Sequence, residues 1–495
     1  MEGSNRSTLL DAIPVSWRAW GLLLVVCVGS RLATTITYIE DPDSLRFALS
    51  VAEEYDVAAL QPHFPGYPIF WAAGELGFLL TGSFSAGFSL VGGLAIVGIV
   101  WALVQLRGTT LDTAEGLAIA GMTVANPLLW VLSNRYMPDL LGVACALVSL
   151  VFLLRAVNAT DGRRTNVLLG FGAGVLGVFG AGLLAGLRLS TLPLLLVPVL
   201  GVLWTSSHPI RPFLAGVVGV VVWLVPLVLD TGVATLYEVA WTQTTGHFTE
   251  FGGTIQTEPN VLERLSGFVR GLWADGLGAW WSGRHAVTAL VGLGVLMLGA
   301  AGVRRLARDR ACSRLWGWLG ACVATYSAWV FFFQNVVHKS RHVLPLVPFL
   351  ILPVAAGAVA VWQRGRLGRV VVGGAAVAYG FVALVLVTQH LDPTAIAQAK
   401  RFLTARADRQ PIRVASVPLV NDYLRAQRVD ARYVSVEDSA AVRDLRSPDT
   451  PARTTYVVGT YSSILERSPD TVHTFYHNPF VNRMWPEVTV YVYDR

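Results

Sequence analysis

The sequence is poor in charge. Only 14% of its 495 residues are Asp, Glu, Lys or Arg, against roughly 25% in an ordinary soluble domain, while 54% are hydrophobic and the mean hydropathy is +0.54. That balance excludes a water-soluble fold and marks an integral membrane protein. Cysteine is scarce too: Cys27, Cys145, Cys312 and Cys322 lie in or beside apolar runs, with the spacing of neither a metal site nor a disulfide framework. No internal repeat or low-complexity tract is present. The 48 glycines form no phosphate loop, because no Gly-Lys-Ser/Thr follows and no strand precedes; they fall in spans such as GFGAGVLGVFGAGLLAGL, where small residues let helices pack closely. No small-residue cleavage site follows the first apolar run, so 20–37 reads as a retained span. The net charge of +6 comes from Arg beside apolar runs, which suits orientation in a bilayer and sets nucleic acid aside as a partner.

Segments of about 20 apolar residues are placed near 16–37, 84–106, 113–132, 138–155, 166–187, 189–205, 212–230, 286–304, 315–334, 343–362 and 369–389. The segment 65–82 is also apolar, but it begins with two prolines and contains Glu75. If it does not cross, LLRAVNATDGRRTN, RRLARDRACSR and QRGRLGR share a side with the N-terminus and the acidic first loop lies opposite, the positive-inside pattern. It is therefore expected along the interface, with Tyr67, Phe70 and Trp71 at headgroup level. The fold class that follows is an α-helical polytopic membrane protein of about eleven spans, N-terminus cytoplasmic in the cell membrane. Residues 1–390 form the multi-span domain with outer loops 38–83 and 231–285. The second half of 231–285 reads as an amphipathic interfacial helix. Residues 391–495, richer in Asp, Arg and Pro, carry β-rich runs (IRVASV, ARYVSV, TTYVVG, VTVYVYDR) and read as a small extracytoplasmic α/β domain with a partly parallel sheet.

Polar groups gather on the outer face. The first loop offers Glu40, Asp41, Asp43, Arg46 and His63; SNRYMPD offers Asn134, Arg135, Tyr136 and Asp139; NVVHKSRHVLPLVPF offers His338, Lys339, Arg341 and His342. Any one of these alone reads as a solvated loop charge. The last cluster stands at the head of a span, where charge is usually paired or functional, and clustered Lys and Arg suit a phosphate or pyrophosphate. Within the spans, Arg188 is the main ionisable group, read as snorkelling to the interface in preference to binding a ligand. Spans so free of charge argue against a transporter or lipid flippase, the alternative reading.

DPDSLRFALSVAEEYDVAALQPHFPGYPIF resembles the first-loop signature of the GT-C superfamily, integral-membrane glycosyltransferases with lipid-linked sugar donors. ANPLLWVLSNRYMPDLLGVA is similar to the second outer-loop region of that superfamily, and HKSRHVLPLVPFL resembles stretches of its protein O-mannosyltransferase and aminoarabinose-transferase branches. The resemblance covers roughly residues 15–390. Phe64 replaces the first Pro of the Pro-Pro-Gly-Tyr-Pro turn, and Ser340 and His342 stand where the mannosyltransferase motif has an acid and an aromatic. Those departures leave the branch, and so the sugar, open.

The resemblance implies inverting transfer of a sugar from a polyprenyl-phosphate donor to a glycan, lipid or protein acceptor beside the membrane lipids. It places the general base at Asp43, with Asp41 and Asp139 as the other catalytic acids. The donor phosphate is expected on His338, Lys339, Arg341, His342 and Arg135, with His63, Tyr67 and Arg46 shaping the substrate loop. No cofactor is required on this reading. Mg or Mn at Asp41 and Asp43 is the alternative, disfavoured by Pro42 between them and by the lack of a third nearby acid.

Overall fold

The computed structural model describes residues 17–159, 167–250, 252–309, 313–446 and 454–494. The basic stretches at 160–166 and 310–312, read above as cytoplasmic, lie outside them. The chain divides into two units, 1–35 with 49–387 and 36–48 with 388–495. The start of the first outer loop thus belongs with the C-terminal domain.

The first unit is helical, as apolar chain in a bilayer must be when each backbone group has to be satisfied within its own segment. Among the described residues eight helical stretches can cross a membrane by length and composition, or nine if Ala114–Val124 and Pro127–Ser133, bent by 55°, form one span. The bend has a local cause. Asn126 accepts the Leu129 N–H at 3.0 Å and starts a new helix, while Pro127 has no N–H with which to continue the old one. Helix Val167–Arg188 passes through a 3-10 segment, Leu189–Leu195, into Leu196–Thr205. A Cβ built on Gly174 would lie 3.2 Å from Val202 Cγ1, so the chain reverses in this segment; a straight helix would hold the two roughly 40 Å apart. Elsewhere glycine brings backbones into contact: a Cβ on Gly302 of helix Val287–Ala307 would meet the Pro353 carbonyl at 1.7 Å.

The segment after the first loop forms helix Pro68–Thr81, of 14 residues, too short to span on its own. Phe70 stacks on Phe88 at 5.2 Å, Gly74 faces the same ring, and Gly77 meets the Gly87 backbone. The helix thus packs closely along the start of Phe84–Arg107. In the 231–285 region the amphipathic helix is Val261–Arg270, followed by a π-turn, Gly271–Gly276. Its first half, read as polar loop, forms helix Val233–Thr249, because no proline breaks it and Leu236 has an apolar cluster with Val57 and Leu227 to join.

In the second unit, a five-stranded sheet is built from β1 (Ile412–Ser416), β2 (Ala431–Ser435), β3 (Thr455–Val458), β4 (Thr471–Tyr476) and β5 (Glu487–Tyr493), in the order β2-β1-β3-β5-β4. β1 runs parallel to β2 and β3, and β5 runs antiparallel to β3 and β4, so the sheet is partly parallel as the sequence suggests. The strand that the reading passes over is β4. TVHTFY alternates like a strand, but its residues are exposed or half-buried, as befits an edge, and it carries no apolar run to betray it.

Candidate functional site

In the first unit the site begins at the His-Phe-Pro-Gly-Tyr-Pro turn. Gly66 sits at φ +82°, and a Cβ there would come within 2.6 Å of the Tyr55 hydroxyl, which donates to the Gly66 carbonyl at 2.9 Å. Only glycine fits both the torsion and the space. The turn delivers Tyr67 to the head of helix Pro68–Thr81, where it is buried. Its hydroxyl lies 3.3 Å from His63 Nε2 and accepts from Arg188 Nη1 at 3.3 Å, so Tyr67 faces protein partners and not lipid.

The reading of Arg188 is corrected by its packing. It does not snorkel: it is 7% exposed, and its Nη2 donates to Asp139 Oδ1 at 2.8 Å. Asp139 opens helix Asp139–Ala159, where the helix dipole favours a carboxylate. The result is a row, His63–Tyr67–Arg188–Asp139, drawn from three separate parts of the chain and buried from Tyr67 onward. Neutralising one member of such an ion pair typically costs about 3 to 5 kcal/mol, because the other charge is left buried.

His-Lys-x-Arg-His joins this row. Arg341, in the 3-10 segment Ser340–Leu346, is buried, with Nη1 3.5 Å from Met137 Sδ, two residues before Asp139. Arg135 of the same turn is buried as well. Tyr326 donates to the His342 carbonyl at 3.1 Å, and Arg188, Lys339, Arg341 and His247 all act electrostatically on the His342 side chain. His338 is placed differently: its side chain is 59% exposed and lies 3.2 Å from Glu258 Oε1. His247, on helix Val233–Thr249, has Nε2 3.0 Å from the Phe333 carbonyl. Burial lowers its pKa, the carbonyl opposes that, and the charges of Lys339 and Arg188 lower it further, so the imidazole is neutral near pH 7. Three cations, Arg188, Lys339 and Arg341, thus share one neighbourhood. Asp139 is paired with Arg188 there, and cations grouped in a low-dielectric place suit a dianion such as a phosphate monoester.

The second unit holds the remaining first-loop acids. Glu40 is buried against His390 Nε2 at 2.9 Å, and its carbonyl accepts from the Thr394 hydroxyl at 2.9 Å. Asp41 Oδ1 accepts the Ser44 N–H at 2.8 Å and its carbonyl accepts the Leu45 N–H at 3.0 Å. It is therefore the N-cap of helix Pro42–Ala52, with Pro42 at the first position. The Tyr423 hydroxyl donates to the Ile39 carbonyl at 2.6 Å; burial raises its pKa, as do the charges of Asp41 and Glu40. Asp43, in the first turn of the same helix, is half-buried, and so is Arg46. Glu40 and Asp41 are thus held by structure, while Asp43 keeps partial access to solvent. For a metal the donor set fits poorly: Asp41 caps a helix, Asp139 pairs with Arg188, and among the described residues no three His, Cys, Asp or Glu side chains gather as ligands. No step through a metal is derived.

The sequence reading undervalued Arg188 and did not single out His247. A lone Arg at the end of an apolar run has the same appearance whether it snorkels or pairs inward, and only the packing of Asp139 decides.

No family model matches the chain, and no curated protein matches its sequence. Solved structures do match its fold. ArnT from Cupriavidus metallidurans bound to undecaprenyl phosphate aligns with TM-score 0.52 and 14% identity over 97% of this chain and 98% of that one. The same protein in the apo state gives 0.52 and 14%, over 96% and 98%. The Archaeoglobus fulgidus oligosaccharyltransferase in complex with Zn and sulfate gives 0.50 and 11%, over 89% of this chain and 67% of that one. The chain thus shares the fold of these structures, and its long apolar helices are those of an integral, multi-pass membrane protein.

Proposed function

We propose that the protein is a GT-C glycosyltransferase that moves a sugar from a polyprenyl-phosphate donor to an acceptor on the outer face of the membrane, with inversion. The observation that carries this reading is the buried Arg188–Asp139 pair sharing a neighbourhood with Lys339 and Arg341, in a chain whose fold matches a protein solved with undecaprenyl phosphate. Arg188, Lys339 and Arg341 hold the donor phosphate, and Arg135 adds positive charge beside them. Asp139 orients Arg188 through Nη2, and the Tyr67 hydroxyl accepts from Nη1. As the acceptor oxygen bonds to the anomeric carbon, the bond from that carbon to the phosphate oxygen breaks. The electron pair leaves with polyprenyl phosphate, whose charge the cations stabilise, and Asp43 takes the acceptor's proton.

On this reading the protein sits in the cell membrane with the basic loops cytoplasmic and 391–495 outside, the orientation that the positive-inside pattern of its loops supports. The test is transfer by purified protein from an undecaprenyl-phosphate-linked sugar. Asp43→Asn keeps the shape and removes the basicity, so transfer should fall by about 100-fold to 10,000-fold. Transfer at the wild-type rate would remove Asp43 as the base; restoration of a chelated enzyme by Mg or Mn would move it to a metal ligand.

A further inference from the structure

The second unit contains a cavity of about 300 Å³ that the transfer chemistry does not use. It lies where the last turns of helix Ala395–Ala407 cross one face of the sheet. Tyr456 of β3, Val492 of β5 and Thr471 of β4 stand side by side in the strand register, and His473 follows two residues on; together they form the floor and one wall. Across from them are Phe402 and Arg406 of the helix, with Arg409 and Gln410 just beyond its end and Asp494 at the rim.

The cation is held in place. The Arg406 guanidinium lies over the Phe402 ring, 4.8 Å from its centre, and the His473 ring packs 4.6 Å from the same ring. A guanidinium fixed in this way loses little freedom on binding an anion. Burial raises the Tyr456 pKa against the opposing charge of Arg406, so it stays a neutral phenol. Gln410 also donates to the Thr454 hydroxyl at 3.2 Å, which in turn donates to Asp494 Oδ1 at 3.1 Å. The pocket thus presents two cations, a carboxylate, an amide and hydroxyls around an aromatic wall. A small bare anion gains from Arg406 and Arg409 but is opposed by Asp494. A saccharide with one anionic group can use all of them, its anion on the arginines and its hydroxyls donating to the carboxylate and accepting from the amide. The volume is at the low end for small-ligand sites, room for one or two sugar rings.

We propose that this cavity is a binding site for an anionic saccharide and that it holds the acceptor glycan. The acceptor role rests on the transfer reading above; saccharide binding does not. The test is calorimetric titration of the full-length protein in detergent with methyl glucuronide, methyl glucoside and inorganic phosphate, alongside undecaprenyl phosphate. Methyl glucuronide should bind at least 10-fold more tightly than methyl glucoside or phosphate. Arg406→Gln and, at the exposed rim, Arg409→Gln should each weaken it by 10-fold or more while leaving undecaprenyl phosphate binding unchanged. Absence of methyl glucuronide binding, equal affinity for methyl glucoside or for phosphate, or indifference to both substitutions would overturn the proposal. Failure of wild-type protein to bind undecaprenyl phosphate would strike the transfer reading and leave the saccharide site standing.

Discussion

At the scale of single residues, neighbouring acids in one loop have different fates. Glu40 is locked against His390, Asp41 caps a helix, and Asp43, two residues on, is half-buried in the first turn. The sequence shows DPD and cannot say which acid is spent on structure, because capping depends on where the helix begins. The difference is measurable. Asp41→Asn retains a good cap and should leave both melting temperature and transfer within a few-fold of wild type, whereas Asp41→Ala should destabilise by about 1 kcal/mol. If Asp41→Asn instead abolished transfer as Asp43→Asn does, Asp41 would be a catalytic acid and not merely a cap. Asp139 is tested in the same spirit. Asp139→Asn leaves Arg188 buried beside a neutral amide, so the protein should lose stability, about 3 to 5 kcal/mol at most, and bind donor more weakly. Unchanged stability and affinity would show that the pair matters to neither.

At the scale of elements, what was legible and what was not follow from the physics of each signal. The apolar runs appear as helices because hydropathy acts over some twenty residues and dominates local detail. Helix Pro68–Thr81 was legible as a short, non-crossing piece because its two prolines and length mark it. The inward turn of Tyr67 was not, since a tyrosine beside a membrane anchors at the surface as readily as it pairs with a buried arginine. Edge strand β4 escaped for want of an apolar face. The Gly66 turn was legible, and it can be tested. Gly66→Ala puts a Cβ into the Tyr55 hydroxyl at a left-handed torsion, a strain of about 1 to 3 kcal/mol. It should displace Tyr67 from Arg188 and lower transfer and thermal stability together. A variant with wild-type melting and activity would show that the turn tolerates a side chain.

At the scale of the whole molecule, the topology and the division of labour stand or fall on separate measurements. In a background stripped of native cysteine, Ser439→Cys should react with a membrane-impermeant thiol reagent in intact cells and Gln363→Cys should react only after permeabilisation. Labelling of both from outside would remove the orientation on which the outer-face reading depends. The central claim is that the cations around Arg188 hold the phosphate of a lipid-linked donor, and that Asp43 acts on the acceptor and not on that phosphate. Equilibrium binding of undecaprenyl phosphate to purified wild-type, Arg188→Gln and Asp43→Asn proteins tests it most directly. The account predicts wild-type affinity for Asp43→Asn and a loss of about 10-fold or more for Arg188→Gln, the effect of removing one charged hydrogen-bond partner worth roughly 1.5 to 3 kcal/mol. Equal affinity in all three proteins, or binding lost only in Asp43→Asn, would contradict it.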